Sequence, residues 1–130
     1  ISSPPYFGAL DYGRDNRLRL WFLGLKDYKE LEQLLTSNDR VYVPQMTEAV
    51  KEMYRVLKPS KAAVLVLGVY RRNGNHADSA ESIAEIARQH FPNKLVVEDI
   101  VDDPIPDERR SRRRTRTTSK ERVLVLRKVR

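Results

Sequence analysis

The sequence contains no cysteine, which excludes both a disulfide framework and a metal site built from thiolates. It has only two histidines, His76 and His90, and neither has a second ligand at metal-binding spacing, so we predict no metal site. No apolar run reaches the roughly 18 residues of a membrane span, and nothing resembles a secretion signal. We therefore expect a soluble, cytoplasmic chain with no membrane partner.

A chain of 130 residues with a hydrophobic fraction of 40% is long enough to form one small packed domain. Its formal charge of +7 is unevenly distributed along the chain. Residues 109–130 contain eleven lysines and arginines and one acid, a balance of +10, whereas residues 1–108 carry fourteen bases and seventeen acids, a balance of −3. A positive patch confined to one part of a mildly acidic domain indicates a phosphate backbone as the partner.

Hydrophobic periodicity predicts three helices in the first half of the chain. A short helix begins at Arg17, a second begins at the cap residue Asp27, and the clearest one covers residues 44–57 and is stopped by Pro59. The apolar positions of these helices are Leu18, Trp21, Phe22 and Leu25 in the first, Leu31, Leu34 and Leu35 in the second, and Val50, Met53, Tyr54 and Leu57 in the third. Trp21 and Phe22 are predicted to lie in the core.

The second half of the chain alternates between predicted strands and helices. Residues 62–70, with the sequence AAVLVLGVY, are typical of a strand buried on both faces, and such strands are central and usually parallel to their neighbours. The remaining predicted elements are a polar loop at 71–75, a helix at 80–90, a strand at 94–101, a long loop at 102–120 and a strand at 122–129. The pattern predicts an α/β sheet whose last strand pairs antiparallel, because no helix separates the last two strands.

The first residues form a stiff segment, Ser3-Pro4-Pro5-Tyr6, because the prolines exclude a helix interior and hold Ser3 in an extended conformation. This tetrapeptide resembles the Ser/Asn/Asp-Pro-Pro-aromatic motif of S-adenosylmethionine-dependent methyltransferases that act on exocyclic amines of DNA bases. Three further segments resemble parts of the same family. Residues 7–14 (FGALDYGR) resemble the loop after the motif, and residues 54–59 (YRVLKP) resemble a helix-to-strand junction. Residues 120–128 (KERVLVLRK) resemble the last strand.

The resemblance implies a partial class I methyltransferase sheet, which is Rossmann-like, with residues 1–130 as the catalytic half of the domain. A complete enzyme also needs a glycine-rich turn after a strand to receive the cofactor. The five glycines form no such cluster: Gly8, Gly13, Gly24, Gly68 and Gly74. We therefore expect the cofactor-binding half to be absent, and this chain alone to bind S-adenosylmethionine little or not at all.

Three interpretations of a missing half remain open: a truncated product, one chain of a split enzyme, or a remnant that only binds nucleic acid. The chain begins with Ile1 rather than methionine, where a strand is predicted to be ending, which suggests a fragment, a processed product or a start that lies outside this sequence. The first two interpretations predict an exposed apolar face where the missing strands would pair, and such a face favours dimerisation or a partner chain.

The chemistry of the motif explains its residue types. The lone pair of an exocyclic amine is delocalised into the base, and two hydrogen-bond acceptors can bias it toward the methyl donor. The Ser3 hydroxyl and the Pro4 carbonyl would accept the two amine hydrogens, with Pro5 supplying rigidity, and would stabilise the transition state more than the flat ground state. Tyr6 would stack on the flipped base; closing the sheet edge in a turn is its structural alternative.

Two further groups are candidates for contacts to the substrate. Asp11, Tyr12 and Arg14 would line the same pocket, with Arg14 on a phosphate, although a turn followed by a capped helix explains them equally well. The loop at 102–120 has the composition of a phosphate-binding segment; the alternative is a solvated charge run. Its predicted nucleic-acid-binding residues are Arg109, Arg110, Arg112, Arg113, Arg114, Arg116 and Lys120.

The sequence thus predicts part of a methyltransferase that transfers a methyl group from S-adenosylmethionine to an amine of cytosine or adenine in DNA. A non-catalytic module for nucleic-acid binding or assembly is the first alternative. A fragment of an RNA-base methyltransferase is the second, because it would use the same amine chemistry.

Overall fold

The structure, a computed structural model, describes residues 1–5, 12–24, 39–72, 75–104 and 118–130. In chain order these residues form α1 (Tyr12–Asp15), α2 (Arg17–Phe22), α3 (Asp39–Val56), β1 (Ala62–Arg72), β2 (Asn75–Asp78), α4 (Ser79–His90), β3 (Leu95–Asp103) and β4 (Thr118–Lys128). The helix predicted from Asp27 onward lies outside the described residues. The fold of the described part mixes helices and strands, as predicted.

The strands form a four-stranded sheet in the order β2–β1–β4–β3, and each neighbouring pair in it is antiparallel. The predicted antiparallel pairing of the last two strands is confirmed by β3 and β4. Because β1 and β3 are both antiparallel to β4, they run in the same direction. The connection from β1 to β3 consists of β2, which reverses the chain, followed by α4.

The core lies between one face of the sheet and the two long helices, since α4 contacts β1, β3, β4 and α3. Alternation along the strands and a spacing of three or four along the helices bring their apolar side chains to this layer. Its buried members are Tyr42, Met46 and Val50 on α3, Ala80, Ile83, Ala84, Ile86 and Ala87 on α4, and Leu65, Leu67, Leu95, Leu124 and Leu126 on the strands.

Strand β1 is central, as predicted, but two features of the prediction are wrong. Its neighbours β2 and β4 pair antiparallel rather than parallel. Its two faces are also buried unequally: Leu65 and Leu67 are buried in the core, whereas Val64 and Val66 on the opposite face are only half-buried. A nearly continuous apolar run therefore identified the strand but did not distinguish its faces.

Helix α3 begins five residues before Pro44, the residue at which the sequence predicted its start. Proline lacks the N–H group that an interior helical residue donates, which made it a natural first residue. The extension buries Tyr42, whose side chain is 1% exposed and continues the buried line of Met46 and Val50. Burial of this large aromatic side chain offsets the missing backbone hydrogen bond at the proline.

The predicted polar loop at 71–75 is wrong in part, because β1 extends to Arg72 and β2 begins at Asn75, so the chain turns back as a hairpin. His76 consequently lies on β2 opposite Arg71, and not in a loop. The long loop predicted at 102–120 is shorter at both ends, because β3 continues to Asp103 and β4 begins at Thr118. These polar residues belong to strands because their backbones pair with neighbouring strands.

The two long helices connect to the following strands through similar turns. In each turn a proline precedes a residue with positive φ, namely Ser60 at 62° and Asn93 at 61°. The backbone N–H of Lys61 donates to Lys58 O at 3.2 Å, and that of Lys94 donates to Phe91 O at 3.0 Å. Proline followed by a left-handed residue is the arrangement of a type II turn, so both chain reversals have the same local basis.

The predicted helix at Arg17 is confirmed by α2, which ends where Gly24, at φ 84°, donates its N–H to Trp21 O at 2.9 Å. The prediction that Trp21 and Phe22 belong to the core is wrong, because their exposed fractions are 64% and 80%. Apolar spacing predicted a helix correctly, but it does not identify a face that is covered. None of the helices in the described ranges is both long and apolar enough to cross a membrane.

Candidate functional site

The segment that contains the proline motif is attached to the central strand. The backbone N–H of Ser2 donates to Val64 O at 2.9 Å, and the N–H of Val66 donates to Ser2 O at 2.9 Å, which makes a parallel bridge between Ser2 and Leu65. Leu65 is paired with Leu124 of β4 on its other side. Ser2 therefore occupies the edge of β1 that β4 leaves open.

The parallel direction of this bridge carries the motif toward the carboxyl end of β1. Strand β2 takes the same edge of β1 from Val69 onward. Pro4 and Pro5 have no backbone N–H group to continue a ladder, so the pairing of the segment ends before β2 begins. The prolines thus end the pairing of this segment with β1, and β2 pairs with the same edge of β1 further along the strand.

The residues of the motif that the structure describes are accessible. Ser3 and Pro5 are exposed and Pro4 is half-buried. Within the described ranges, no hydrogen bond occupies the Ser3 hydroxyl or the Pro4 carbonyl. Two acceptors on consecutive residues of a conformationally restricted segment are therefore available to a ligand at this end of the sheet.

The other residues predicted for the substrate pocket are described only in part. Tyr6 and Asp11 lie outside the described residues. Tyr12 contributes backbone to α1, and Arg14 on the same helix has an exposed side chain. Helix α1 contacts α2. The structure thus supports a helix at these positions, which was the structural alternative, and leaves their contact with substrate a prediction.

A cluster of four charged side chains lies at the same end of the sheet. It consists of Asp78, the residue before α4; Asp102, near the end of β3; and Lys120 and Arg122, near the start of β4. Arg122 forms ion pairs with Asp78 and, from Nε at 2.8 Å, with Asp102 Oδ1. Lys120 pairs with Asp102 Oδ2. We call these four residues the charge cluster.

Asp78 has two structural tasks in the charge cluster. Its Oδ1 accepts hydrogen bonds from the N–H groups of Ala80 at 3.0 Å and Glu81 at 3.2 Å, which caps α4. Its Oδ2 faces Arg122. An aspartate directly before a helical pattern is a capping signal that sequence reasoning could have used. The partnership with Arg122 had no signal in the sequence, because the two residues are 44 positions apart.

The charge cluster changes the protonation of its own members. The hydrogen bond from Lys120 lowers the pKa of Asp102, and the charges of Lys120 and Arg122 add to this effect. Burial acts to lower the pKa of Arg122, but the hydrogen bonds and charges of Asp78 and Asp102 outweigh burial, so this pKa is raised. Both shifts favour the charged forms of Asp102 and Arg122.

The charge cluster bears on the predicted phosphate contacts. Lys120, the one described residue of that set, is held by Asp102, so part of its charge is already neutralised. The six arginines between positions 109 and 116 lie outside the described residues. The connection that carries them starts and ends at the charged end of the sheet. Pro104 follows β3 there, and Thr118 begins β4 there.

In the described ranges, no group of three or more histidine, aspartate or glutamate side chains could hold a metal ion. His90, at the end of α4, is exposed. The site therefore consists of hydrogen-bond acceptors on a stiff segment beside a network of paired charges.

Comparisons with known proteins identify no relative: no family model, curated protein or solved structure matches this chain.

Proposed function

We propose that the chain is the catalytic half of an S-adenosylmethionine-dependent DNA methyltransferase that acts on an exocyclic amine of cytosine or adenine. One observation carries the proposal: the parallel bridge between Ser2 and Leu65 directs Ser3 and Pro4 toward the carboxyl end of the central strand. In open α/β sheets of mostly parallel strands, ligands bind at that end. Here the Ser2 segment, β1 and β3 share one direction, which supports the same end of β1 as the substrate side.

The contacts between the segments that carry the resemblance add support. Residues 54–59 and 120–128 are far apart in sequence, yet Lys128 Nζ donates to Tyr54 O at 2.7 Å and to Leu57 O at 2.8 Å. The motif segment contacts the strand that follows residues 54–59. A last strand antiparallel to its neighbours is also what the resemblance implies, and β4 is antiparallel to both β1 and β3.

In the proposed reaction, Ser3 Oγ and the Pro4 carbonyl oxygen each accept a hydrogen bond from the amine. These two hydrogen bonds favour a tetrahedral nitrogen. Tyr6 stacks on the base after it leaves the duplex. S-adenosylmethionine would supply the methyl group, and a cofactor-binding half outside residues 1–130 would hold it. Because DNA and S-adenosylmethionine meet inside the cell, a cytoplasmic location belongs to the proposal.

The test combines this chain with a cofactor-binding half from a methyltransferase of the same class and follows transfer of a labelled methyl group to DNA. Ser3→Ala is expected to lower the rate on the order of 100-fold, because a single preorganised polar contact to a transition state has about that effect. Tyr6→Ala is expected to lower it as well.

Ser2→Ala is the matched control, because Ser2 is held through its backbone and that substitution keeps both hydrogen bonds to β1. Equal rates for the unmodified chain, Ser3→Ala and Tyr6→Ala would contradict the catalytic assignment. Competition between DNA and RNA of matched sequence identifies the substrate, because an RNA-base methyltransferase would use the same acceptors.

The second candidate is a non-catalytic module that binds nucleic acid, and the balance of +10 over residues 109–130 favours it. This candidate predicts binding that weakens steeply as salt rises and that is unaffected by Ser3→Ala. Binding without methyl transfer in the reconstituted mixture would support it over the enzyme.

A further inference from the structure

Helix α2 carries an apolar surface that no other described part of the chain covers. The exposed fractions of its side chains are 66% for Leu18, 64% for Trp21 and 80% for Phe22, and Leu23 directly after the helix is 77% exposed. Leu20, by contrast, is only partly exposed and marks the inward side. Contiguous exposed apolar surface of this kind indicates a binding site.

The two aromatic rings within this surface form a defined pair. The ring centroids of Trp21 and Phe22 lie 5.2 Å apart and their planes meet at 65°, an edge-to-face arrangement. Such a pair presents ring faces in two directions. A flat aromatic ligand can therefore stack on one ring while the other ring contacts its edge.

Arginines border the apolar surface on both sides. With about 100° between successive residues of a helix, Arg17 and Arg19 fall on opposite sides of the strip formed by Leu18, Trp21 and Phe22. Both side chains are exposed, and Arg19 Nη1 donates to Asn16 Oδ1 at 3.1 Å. A ligand that covers the rings would thus meet positive charge on either side.

This charge pattern selects among the partners that exposed aromatic rings can have. A second copy would bring its own arginines against Arg17 and Arg19, and the like charges would repel. Binding to a membrane surface scales with the apolar area that a helix buries there, and the six residues of α2 offer little such area. A nucleic-acid strand offers flat bases for the rings and phosphates for the arginines, which matches both features of the surface.

We propose that α2 binds single-stranded DNA, with Trp21 and Phe22 stacking on unpaired bases and with Arg17 and Arg19 contacting the phosphates on either side. The residues of this surface are different from the Ser3-Pro4 acceptors. The inference rests on the proposed function only in taking DNA as the partner, and it does not require methyl transfer.

The chain itself supplies the probe, because Trp21 is its only tryptophan. The full chain is titrated with a labelled oligothymidylate of about 12 nucleotides, with anisotropy of the label reporting binding and Trp21 emission reporting stacking. We expect the emission to be quenched in step with binding. An abasic oligonucleotide of the same length, which keeps the phosphates and lacks bases, is expected to bind without quenching.

Substitutions distinguish stacking from apolar contact. Trp21→Leu and Phe22→Leu keep apolar bulk but remove a ring face, and each is expected to weaken binding about 5- to 100-fold. Val56→Leu is the control, because Val56 on α3 is also 64% exposed. Arg17→Ala and Arg19→Ala are each expected to reduce the salt dependence of log K by about 0.7, whereas the exposed Arg55→Ala on α3 is not.

The readouts separate the two proposals. Binding by anisotropy with unchanged Trp21 emission overturns the α2 site and leaves DNA as the partner of the proposed enzyme. Absence of any binding to this oligonucleotide overturns the α2 site and leaves the proposed function standing, because that function concerns cytosine or adenine in duplex DNA. Emission that changes with protein concentration in the absence of DNA assigns the surface to a second copy and overturns the inference.

Discussion

The ammonium group of Lys128 lies 4.3 Å from the centre of the Tyr54 ring and donates hydrogen bonds to Tyr54 O and Leu57 O. These carbonyls are at the end of α3, where helical carbonyls lack intrahelical partners and the helix dipole is negative. The Tyr54 ring also stacks on Phe91, with 4.3 Å between the centroids. One cation thus joins the last strand to the end of α3.

Lys128→Met is expected to lower the free energy of unfolding by about 1 to 3 kcal/mol, because methionine keeps the apolar stem but cannot donate to the two carbonyls. Urea denaturation followed by circular dichroism measures the change. Lys58→Met serves as the control, since Lys58 is an exposed lysine near the same helix end. Equal losses in the two variants would contradict a specific role for Lys128.

Asp78→Ala is expected to lower the free energy of unfolding by about 1 to 3 kcal/mol, because it removes both the cap of α4 and a partner of Arg122. Asp78→Asn keeps an oxygen that can accept from Ala80 N and Glu81 N, so its loss should be smaller. Thermal and urea unfolding of both variants measure the two contributions. Identical losses would show that the cap contributes nothing and would contradict this account of the helix start.

The charge cluster predicts a dependence of stability on pH. The folded pKa of Asp102 lies below its ordinary value of 3.8. As pH falls past that value, the unfolded chain takes up a proton before the folded chain does. The contribution of Asp102 to the free energy of unfolding is therefore present above about pH 4 and is lost below it. Asp102→Asn should therefore be less stable than the unmodified chain at about pH 6, and the difference should disappear under strong acid.

Urea denaturation at the two pH values measures this difference. Asp103→Asn, which changes the neighbouring exposed carboxylate, is the control. A difference between Asp102→Asn and the unmodified chain that stays constant across the acid range would contradict the assignment. The same experiment at high salt is expected to reduce the effect, because Asp102 and Lys120 are half-exposed.

The turn before β1 offers a stabilising substitution. Ser60 has a φ of 62°, a conformation that costs a residue with a side chain about 1 to 2 kcal/mol and costs glycine almost nothing. The contacts of Ser60 with Lys128 and Arg127 use its backbone, so a glycine would retain them. Ser60→Gly is therefore expected to raise the free energy of unfolding by about 0.5 to 1 kcal/mol, after allowance for the greater freedom of glycine in the unfolded chain.

Thermal unfolding checks this gain. Ser60→Ala should leave stability almost unchanged, because alanine meets the same restriction. Asn93→Gly, in the equivalent turn before β3, should give a smaller gain than Ser60→Gly, since asparagine adopts positive φ more readily than serine. A loss of stability in Ser60→Gly would show that the serine side chain has a role in the turn.

Local patterns in the sequence were sufficient where the structure depends on neighbouring residues. The apolar run at 62–70 predicted β1, the spacing of Ala80, Ile83, Ala84 and Ala87 predicted α4, and the two prolines predicted a stiff segment at Ser3. Each of these features follows from backbone restrictions or side-chain periodicity within about twelve residues. The antiparallel pairing of the last two strands followed from the absence of a helical pattern in the sequence between them.

Long-range contacts were beyond such patterns. The exposure of Trp21 and Phe22 depends on what covers α2, the pairing of Arg122 with Asp78 depends on how β4 and α4 are placed, and the attachment of Ser2 to β1 joins residues more than sixty positions apart. Helical spacing identifies an apolar stripe but does not specify its partner. By itself, therefore, the sequence determined β1, β3, β4 and the long helices, together with the restricted backbone of the motif. Only the tertiary structure decided that β2 pairs with β1, that the motif runs to the charged end of the sheet, and that the aromatic pair of α2 faces outward.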